Sequence, residues 1–299
     1  MEPLMFETFR PKFYIAHICV LVFFVLACSS THEEITWDPY GTFASGEIVE
    51  SSGLVKSRQF DDVFWTHNDR GDKARIFATT AKGDLIKEVE IRGAQNVDWE
   101  DIATDNAGHL YIGDFGDNRK KQKQRVIYVV KEPNPFEADS APVLRRILFD
   151  FPEQRQLQKK GFDCEALFWA NENLYCLTKH SKDGITRLYK FDLGAGDQQT
   201  VTEIAEFNID GAVTSADASI DGNKLLVLCY ESISLFEKPA NNDNYLMGNF
   251  KRIPILRKKS EGICFDGSDI VFSNEQGEIY RVAQSIFDKQ HAVASGEAE

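Results

Sequence analysis

Glutamates recur at matching places along this 299-residue chain, and their type limits what they could do. Glu100, Glu165 and Glu261 each open a short apolar run, in Trp-Glu-Asp-Ile-Ala, Cys-Glu-Ala-Leu-Phe and Ser-Glu-Gly-Ile-Cys. Asn68, Asp69, Asp114, Asp117, Asn118, Glu231, Asn274 and Glu275 follow the next apolar run of the same units, in turn-forming sequence. Oxygen-only donors suit Ca²⁺ rather than zinc, and carboxylates that face one space repel each other unless a cation sits among them. Glu100, Glu165 and Glu261 are therefore candidate calcium ligands, with the turn residues as a ligand-binding rim. Such an ion could be structural, or could polarise a phosphoryl or ester oxygen. The competing reading is that the three glutamates only line a channel, bonded to backbone amides and water. Asp114, Asp117 and Asn118 also read as plain turn formers, since Gly-Asp and Asp-Asn favour tight turns.

Signals for catalysis are sparse. His67 and His180 fall at comparable places and could act as general bases near neutral pH, or could be polar turn residues. The chain has no Gly-x-Ser-x-Gly nucleophile turn and no zinc-protease histidine pair. Two basic clusters, residues 119–125 and 257–259, would rim the same face. They suit an anionic ligand such as a phosphate ester or acidic sugar, or are solvated loops. With 34 Lys+Arg against 47 Asp+Glu, the net charge of -13 argues against nucleic acid as a partner.

The elements that would position these groups repeat. Ser52, Glu100, Glu165, Thr214 and Glu261 begin equivalent units, with spacings of 48, 65, 49 and 47 residues. Within each unit a second strand such as Leu110-Tyr-Ile-Gly-Asp follows a Gly, Asn or Asp turn, and third and fourth strands come after it. The last unit lacks a fourth strand, whereas an unmatched strand-like segment, 41–50, precedes the first. Four-stranded units of this length are the signature of propeller blades, and a ring closed by the N-terminal strand hides the exposed sheet edge. The expectation is an all-β, five-bladed β-propeller over 39–283, with a mobile tail at 284–299. Strand starts and second turns then share one face, around the mouth of a central channel.

The unit contents resemble the SdiA-regulated family of bacterial propellers over Ser52 to Val282. The resemblance is carried by Asp98-Trp-Glu-Asp-Ile with Tyr111-Ile-Gly-Asp, Gly161-Phe-Asp-Cys-Glu-Ala-Leu, 223–232, Ser260-Glu-Gly-Ile and Phe272-Ser-Asn-Glu. It implies a membrane-anchored propeller without an assigned biochemical activity. The segments 67–72 and 113–118 look closer to phytase-like esterase propellers, and that likeness implies calcium-dependent hydrolysis of phosphate or carboxylic esters. No constellation marks a base or nucleophile, so the reading is a non-enzymatic propeller that binds a small anionic ligand or a protein at its channel mouth, with hydrolysis as the alternative.

The address is written at the N-terminus. Phe13–Ala27 is an apolar run of 15 residues after Arg10 and Lys12, short of the roughly 20 that span a bilayer as a helix. Val25-Leu-Ala-Cys28 looks like a bacterial lipobox, which makes 1–27 a signal peptide, Cys28 the lipidated N-terminus and 28–38 a tether. Several acyl chains anchor a protein stably where one would not. The expected location is the bacterial cell envelope, lipid-anchored, at the outer rather than the inner membrane because Ser29 follows the cysteine, with the protein a monomer. Loss of 1–27 removes Glu2, Glu7, Arg10 and Lys12 and leaves the charge unchanged. Cys164, Cys176, Cys229 and Cys264 remain; two disulfides are permitted, but their apolar surroundings read as buried thiols.

Overall fold

β-branched and aromatic runs broken by Gly, Asn and Asp turns become strands in nearly every case. The computed structural model describes residues 37–117, 124–152, 163–179, 184–255 and 259–288. These belong to one unit of the chain, Ile35–Glu299. The signal segment 1–27, Cys28, Asn118, His180 and most of both basic clusters lie outside the described residues.

In chain order, β1 (Gly41–Thr42) comes before a first unit of β2 (Ser51–Lys56), β3 (Phe64–Asn68), β4 (Arg75–Thr79) and β5 (Leu85–Arg92). A second unit holds β6 (Trp99–Thr104), β7 (His109–Asp114), β8 (Arg125–Lys131) and β9 (Ser140–Asp150). A third holds β10 (Cys164–Ala170), β11 (Asn173–Thr178), β12 (Ile185–Lys190), the short β13 (Gln198–Thr200) and β14 (Thr202–Asn208). The fourth is β15 (Val213–Ala218), β16 (Lys224–Cys229), β17 (Ser232–Glu237) and β18 (Phe250–Pro254). The last is β19 (Ser260–Asp266), β20 (Asp269–Asn274) and β21 (Glu278–Ala283), and β1 completes it by pairing antiparallel with β21.

The molecule is thus all-β and propeller-like: the last three units form four-stranded antiparallel sheets, and the first two are joined edge to edge with β13 in a nine-stranded sheet. First strands pack side by side in chain order, β2 on β6, β6 on β10, β10 on β15, β15 on β19, and β19 again on β2. Apolar cores lie between successive sheets: Trp65 and Val89 meet Trp99 and Ile112, Tyr111 stacks on Trp169, and Phe168 packs with Tyr245. Outer strands alternate exposed and buried residues, as β5 does.

Two features depart from the sequence reading. β9 runs over 11 residues and takes parallel partners at both ends, β5 on Ser140–Pro142 and β13 on Leu148–Asp150, so outer edges cover one another instead of facing water. Residues 284–288, expected as the start of a mobile tail, are instead packed, with Phe287 buried in the cluster of Ile253, Ile270 and Phe272; residues 289–299 lie outside the described residues. All four described cysteines are buried free thiols.

Candidate functional site

Each first strand carries a β-bulge at the same place. Pairing with the second strand skips one residue between Ser52 and Leu54, Trp99 and Asp101, Cys164 and Ala166, Val213 and Ser215, and Ser260 and Gly262. The extra residues are Gly53, Glu100, Glu165, Thr214 and Glu261. A bulge frees one residue from the ladder and re-aims its side chain, so a single backbone device repeated round the molecule presents three glutamates at the strand starts.

Two of these glutamates share a set of oxygens. One carboxylate oxygen each from Asp69, Asp98 and Glu100 lies within 4.8 Å of the others, and the same holds for Glu100, Asp163 and Glu165. Glu100 belongs to both sets. It is 5% exposed and Asp98 7%, yet Glu100 Oε1 and Asp98 Oδ1 have no hydrogen-bond partner. Backbone runs against them here. A Cβ on Gly116 would lie 1.7 Å from Glu100 Oε1, so only glycine lets the β7–β8 turn cradle that carboxylate.

Electrostatics mark the same spot. Burial pushes the Glu100 carboxyl well above the usual range, and the neighbouring charges of Glu165, Asp69 and Asp98 push it further. Asp98 rises to about 6, chiefly through burial and then Asp69, while Arg70, with Nη1 3.6 Å away, opposes the shift. Glu165 is raised by burial although Lys179 Nζ lies 2.9 Å from its Oε1. Five carboxylates here face only two nearby cations, Arg70 and Lys179, and an all-oxygen set of this kind is one that could hold Ca²⁺.

The other expected residues divide. Asp69 joins the first oxygen set. Glu261 lies outside both sets; it is half-buried, with its carboxyl pushed up to about 8 by burial despite Lys179. Asn68 is scaffold rather than ligand-binding, because its Oδ1 accepts the Val49 and Glu50 N–H groups and its Nδ2 donates to Glu47 and Asp72. Asn274 is likewise used up: its Nδ2 donates to the Glu278 carboxylate and its Oδ1 accepts the Glu278 N–H, closing the β20–β21 turn. Asp114 positions Asp98 by accepting its N–H at 2.8 Å. Asp117 pairs with Arg125 at 3.3 Å and gives its own N–H to Asp163. Glu231 is exposed at the turn after β16.

His67 is neither at the mouth nor in a turn. It lies fully buried on β3, edge-on to Trp99 with ring centroids 5.4 Å apart, and its Nδ1–H donates to the Asn68 carbonyl. Burial holds its pKa down to about 4, so it is neutral at physiological pH. Arg125, from the first basic cluster, is also buried, over the Phe151 ring. Lys259, from the second, pairs with Glu275 at 3.0 Å.

Residue types alone missed Asp98 and Asp163 as site members. A signal was present: each stands two residues before a bulged glutamate, as Asp98-Trp-Glu100 and Asp163-Cys-Glu165. Asp101 was also missed, since its partners Leu167 and Ala216 are far along the chain, and so was Lys179, whose partner Glu165 lies across the β10–β11 hairpin.

No family model and no curated protein matches the chain. Solved structures resemble it at low identity. The Cps50 (Swd1) β-propeller domain of Myceliophteria thermophila is 13% identical with a TM-score of 0.46, covering 84% of this chain and 87% of that one. The PQQ-bound aldose sugar dehydrogenase of Streptomyces coelicolor is 11% identical with a TM-score of 0.49, covering 83% and 98%. Virginiamycin B lyase of Staphylococcus aureus is 16% identical with a TM-score of 0.41, covering 78% and 66%.

Proposed function

We propose that the chain is a lipid-anchored, extracytoplasmic five-bladed β-propeller of the SdiA-regulated kind, whose acidic mouth holds calcium and binds a small anionic ligand or a protein there. The observation that carries the calcium is Glu100, whose buried Oε1 has no hydrogen-bond partner and which belongs to both oxygen sets. Asp69, Asp98, Glu100, Asp163 and Glu165 would hold the ion, and the ion would supply positive charge for an anion to meet. Arg70 and Lys179 flank it with further positive charge. Five bladed units are supported by the cycle of first strands and by β1 completing the last sheet.

Binding is favoured over calcium-dependent hydrolysis by the position of His67. A base for hydrolysis must reach a water beside the ion, and this imidazole is sealed against Trp99 in the wall. The anchor reading rests on Cys28 and the lipobox-like run before it, which support an address in the cell envelope.

Melting temperature in excess calcium against excess chelator tests the site. Calcium raises it by several degrees in the parent chain, and Glu100→Gln cancels the rise. In chelator the same substitution raises it instead, because it removes a carboxyl whose ionisation burial and its acidic neighbours oppose in the folded state. Absence of a calcium effect in the parent would sink the metal reading and leave the binding face unassigned.

A further inference from the structure

The first strands run from the acidic mouth toward a second opening, where a cavity of about 470 Å³ lies among their far ends. Lys56 of β2, Asp217 of β15 and Phe265 of β19 contribute to it, together with Arg58 and Ile220 from the turns that follow. Glu100 begins β6 next to Trp99 and Thr104 ends it on this cavity, so at about 3.3 Å per residue the two sites stand roughly 13 Å apart. Asp101, bonded to Leu167 and Ala216, comes between them along the strand.

Charge in the cavity is an unjoined pair. Lys56 is already held by Asp266, Lys224 reaches Gln284, and Asp221 is bound within its own turn by Ser219 and Asn223. Arg58 is half-buried and donates from Nη1 to Asn106 Oδ1 at 2.7 Å, with no carboxylate in ion-pair range among the described residues. Asp217 accepts the Phe265 N–H at 2.9 Å and likewise has no ion pair among them, although the Arg58 charge is close enough to favour its ionised form. The wall is mixed: Val55, Ala218, half-buried Phe265 and Ile220, 75% exposed, give it apolar surface between the polar groups.

A simple anion at Arg58 would meet Asp217, and a simple cation at Asp217 would meet Arg58. A molecule that carries both charges satisfies each without a like-charge contact. The guanidinium fork matches a carboxylate in two-point geometry, and the volume falls in the range of small-molecule sites. We propose that this cavity binds an apolar zwitterion of amino-acid or dipeptide size, with its carboxylate on Arg58, its ammonium on Asp217 and its side chain against Ile220 and Phe265.

Calorimetric titration of the full chain in detergent micelles tests this with leucine and leucyl-leucine as probes, beside isocaproate, which lacks the ammonium, and isoamylamine, which lacks the carboxylate. One zwitterion binds with a Kd below about 1 mM, and each single-charge analogue binds at least about tenfold more weakly. Arg58→Gln and Asp217→Asn each weaken the zwitterion by about tenfold or more. Arg58→Lys keeps the charge without the fork and weakens binding while preserving the melting temperature, so loss of binding is separable from loss of fold. Failure of both zwitterions to bind, equal binding by isocaproate or isoamylamine, or full affinity in Arg58→Gln overturns the proposal.

Discussion

The Asp101 carboxylate on β6 accepts the Leu167 N–H of β10 at 2.8 Å, joining two first strands that are not paired as sheet neighbours. The same group accepts the Ala216 N–H of β15 at 3.2 Å, the Ser215 hydroxyl at 3.1 Å and the Ile102 N–H at 2.9 Å. Ser215 Oγ in turn accepts the Ile263 N–H of β19. First strands packed side by side leave backbone donors without sheet partners, and buried donors need acceptors. One side chain of the second unit supplies them to the third and fourth, and through Ser215 reaches the fifth.

Asp101→Ala should therefore destabilise the whole fold rather than the mouth alone. Each buried donor left unsatisfied costs about 1–3 kcal/mol, so the total should exceed about 3 kcal/mol. Asp101→Asn keeps the volume and one acceptor oxygen and should cost less. Urea denaturation checks both, and a loss below about 1 kcal/mol for the alanine variant would remove Asp101 from this role.

Stability should fall as pH rises when calcium is chelated. Glu261 sits at about 8, raised by burial, and Asp98, Asp114 and Asp217 each at about 6, also raised chiefly by burial. A carboxyl with a raised folded pKa holds more protons folded than unfolded, so the slope of stability with pH is negative. The loss begins above the ordinary carboxyl range near 4 and is complete past about 8. Calcium offsets it at high pH, where the ligands are ionised. A melting temperature that climbs from pH 5 to pH 8 in chelator would contradict the assignment of these groups.

Much of the fold was legible because it rests on local pattern. Strand runs, turns and the equivalent openings of the units follow from period-two apolar residues and Gly, Asn or Asp turns, and the missing last strand pointed to β1. The parallel capping of β9 was not legible, because edge pairing between units leaves no mark in either strand. Of the site, Glu100 and Glu165 were readable as repeated unit openings. Asn68 and Asn274 misled because a turn amide offers the same atoms to a ligand as to its own backbone, and only geometry shows which takes them. His67 misled for a related reason: it is the last residue but one of β3, close to the turn, but its ring packs inward against Trp99.

Replacing Cys28 should move the protein without unfolding it. Acyl chains on that thiol would hold the chain on a membrane surface, and the propeller makes no use of Cys28 in its described sheets. In bacterial cells Cys28→Ala should shift the protein from the membrane fraction to the soluble one. Retention of the variant with membranes after a high-salt wash would argue against lipid anchoring at this residue.

Gly116→Ala is a test of the cradle that leaves every carboxylate in place. The added methyl would fall 1.7 Å from Glu100 Oε1 and 2.9 Å from Asp98 Cγ, so the Glu100 carboxylate must move out of both oxygen sets. Calcium affinity should drop by about tenfold or more, as for loss of a ligand, while the chelated protein melts close to the parent. Calorimetric titration with calcium reads the difference. Unchanged affinity would mean that the ion does not use this oxygen.

Lys179 stands 2.9 Å from Glu165, with side chains 15% and 2% exposed, and this pair decides whether Glu165 can serve as a ligand at all. A buried carboxylate with no cation nearby takes up a proton, and Lys179 is what opposes that. Lys179→Met removes the cation and strands the carboxylate, at a cost of about 3–5 kcal/mol in chelator. Glu165→Gln alone strands the ammonium instead. The double variant removes both charges, so it should recover most of the loss, and the coupling from a double-mutant cycle should be large and favourable. With calcium present the outcome differs. An ion beside Glu165 replaces the missing positive charge, so the Lys179→Met loss should shrink in excess calcium, whereas the double variant should show a smaller calcium effect because one ligand is gone. Equal losses for Lys179→Met with and without calcium would place the ion away from Glu165 and confine it to Asp69, Asp98 and Glu100.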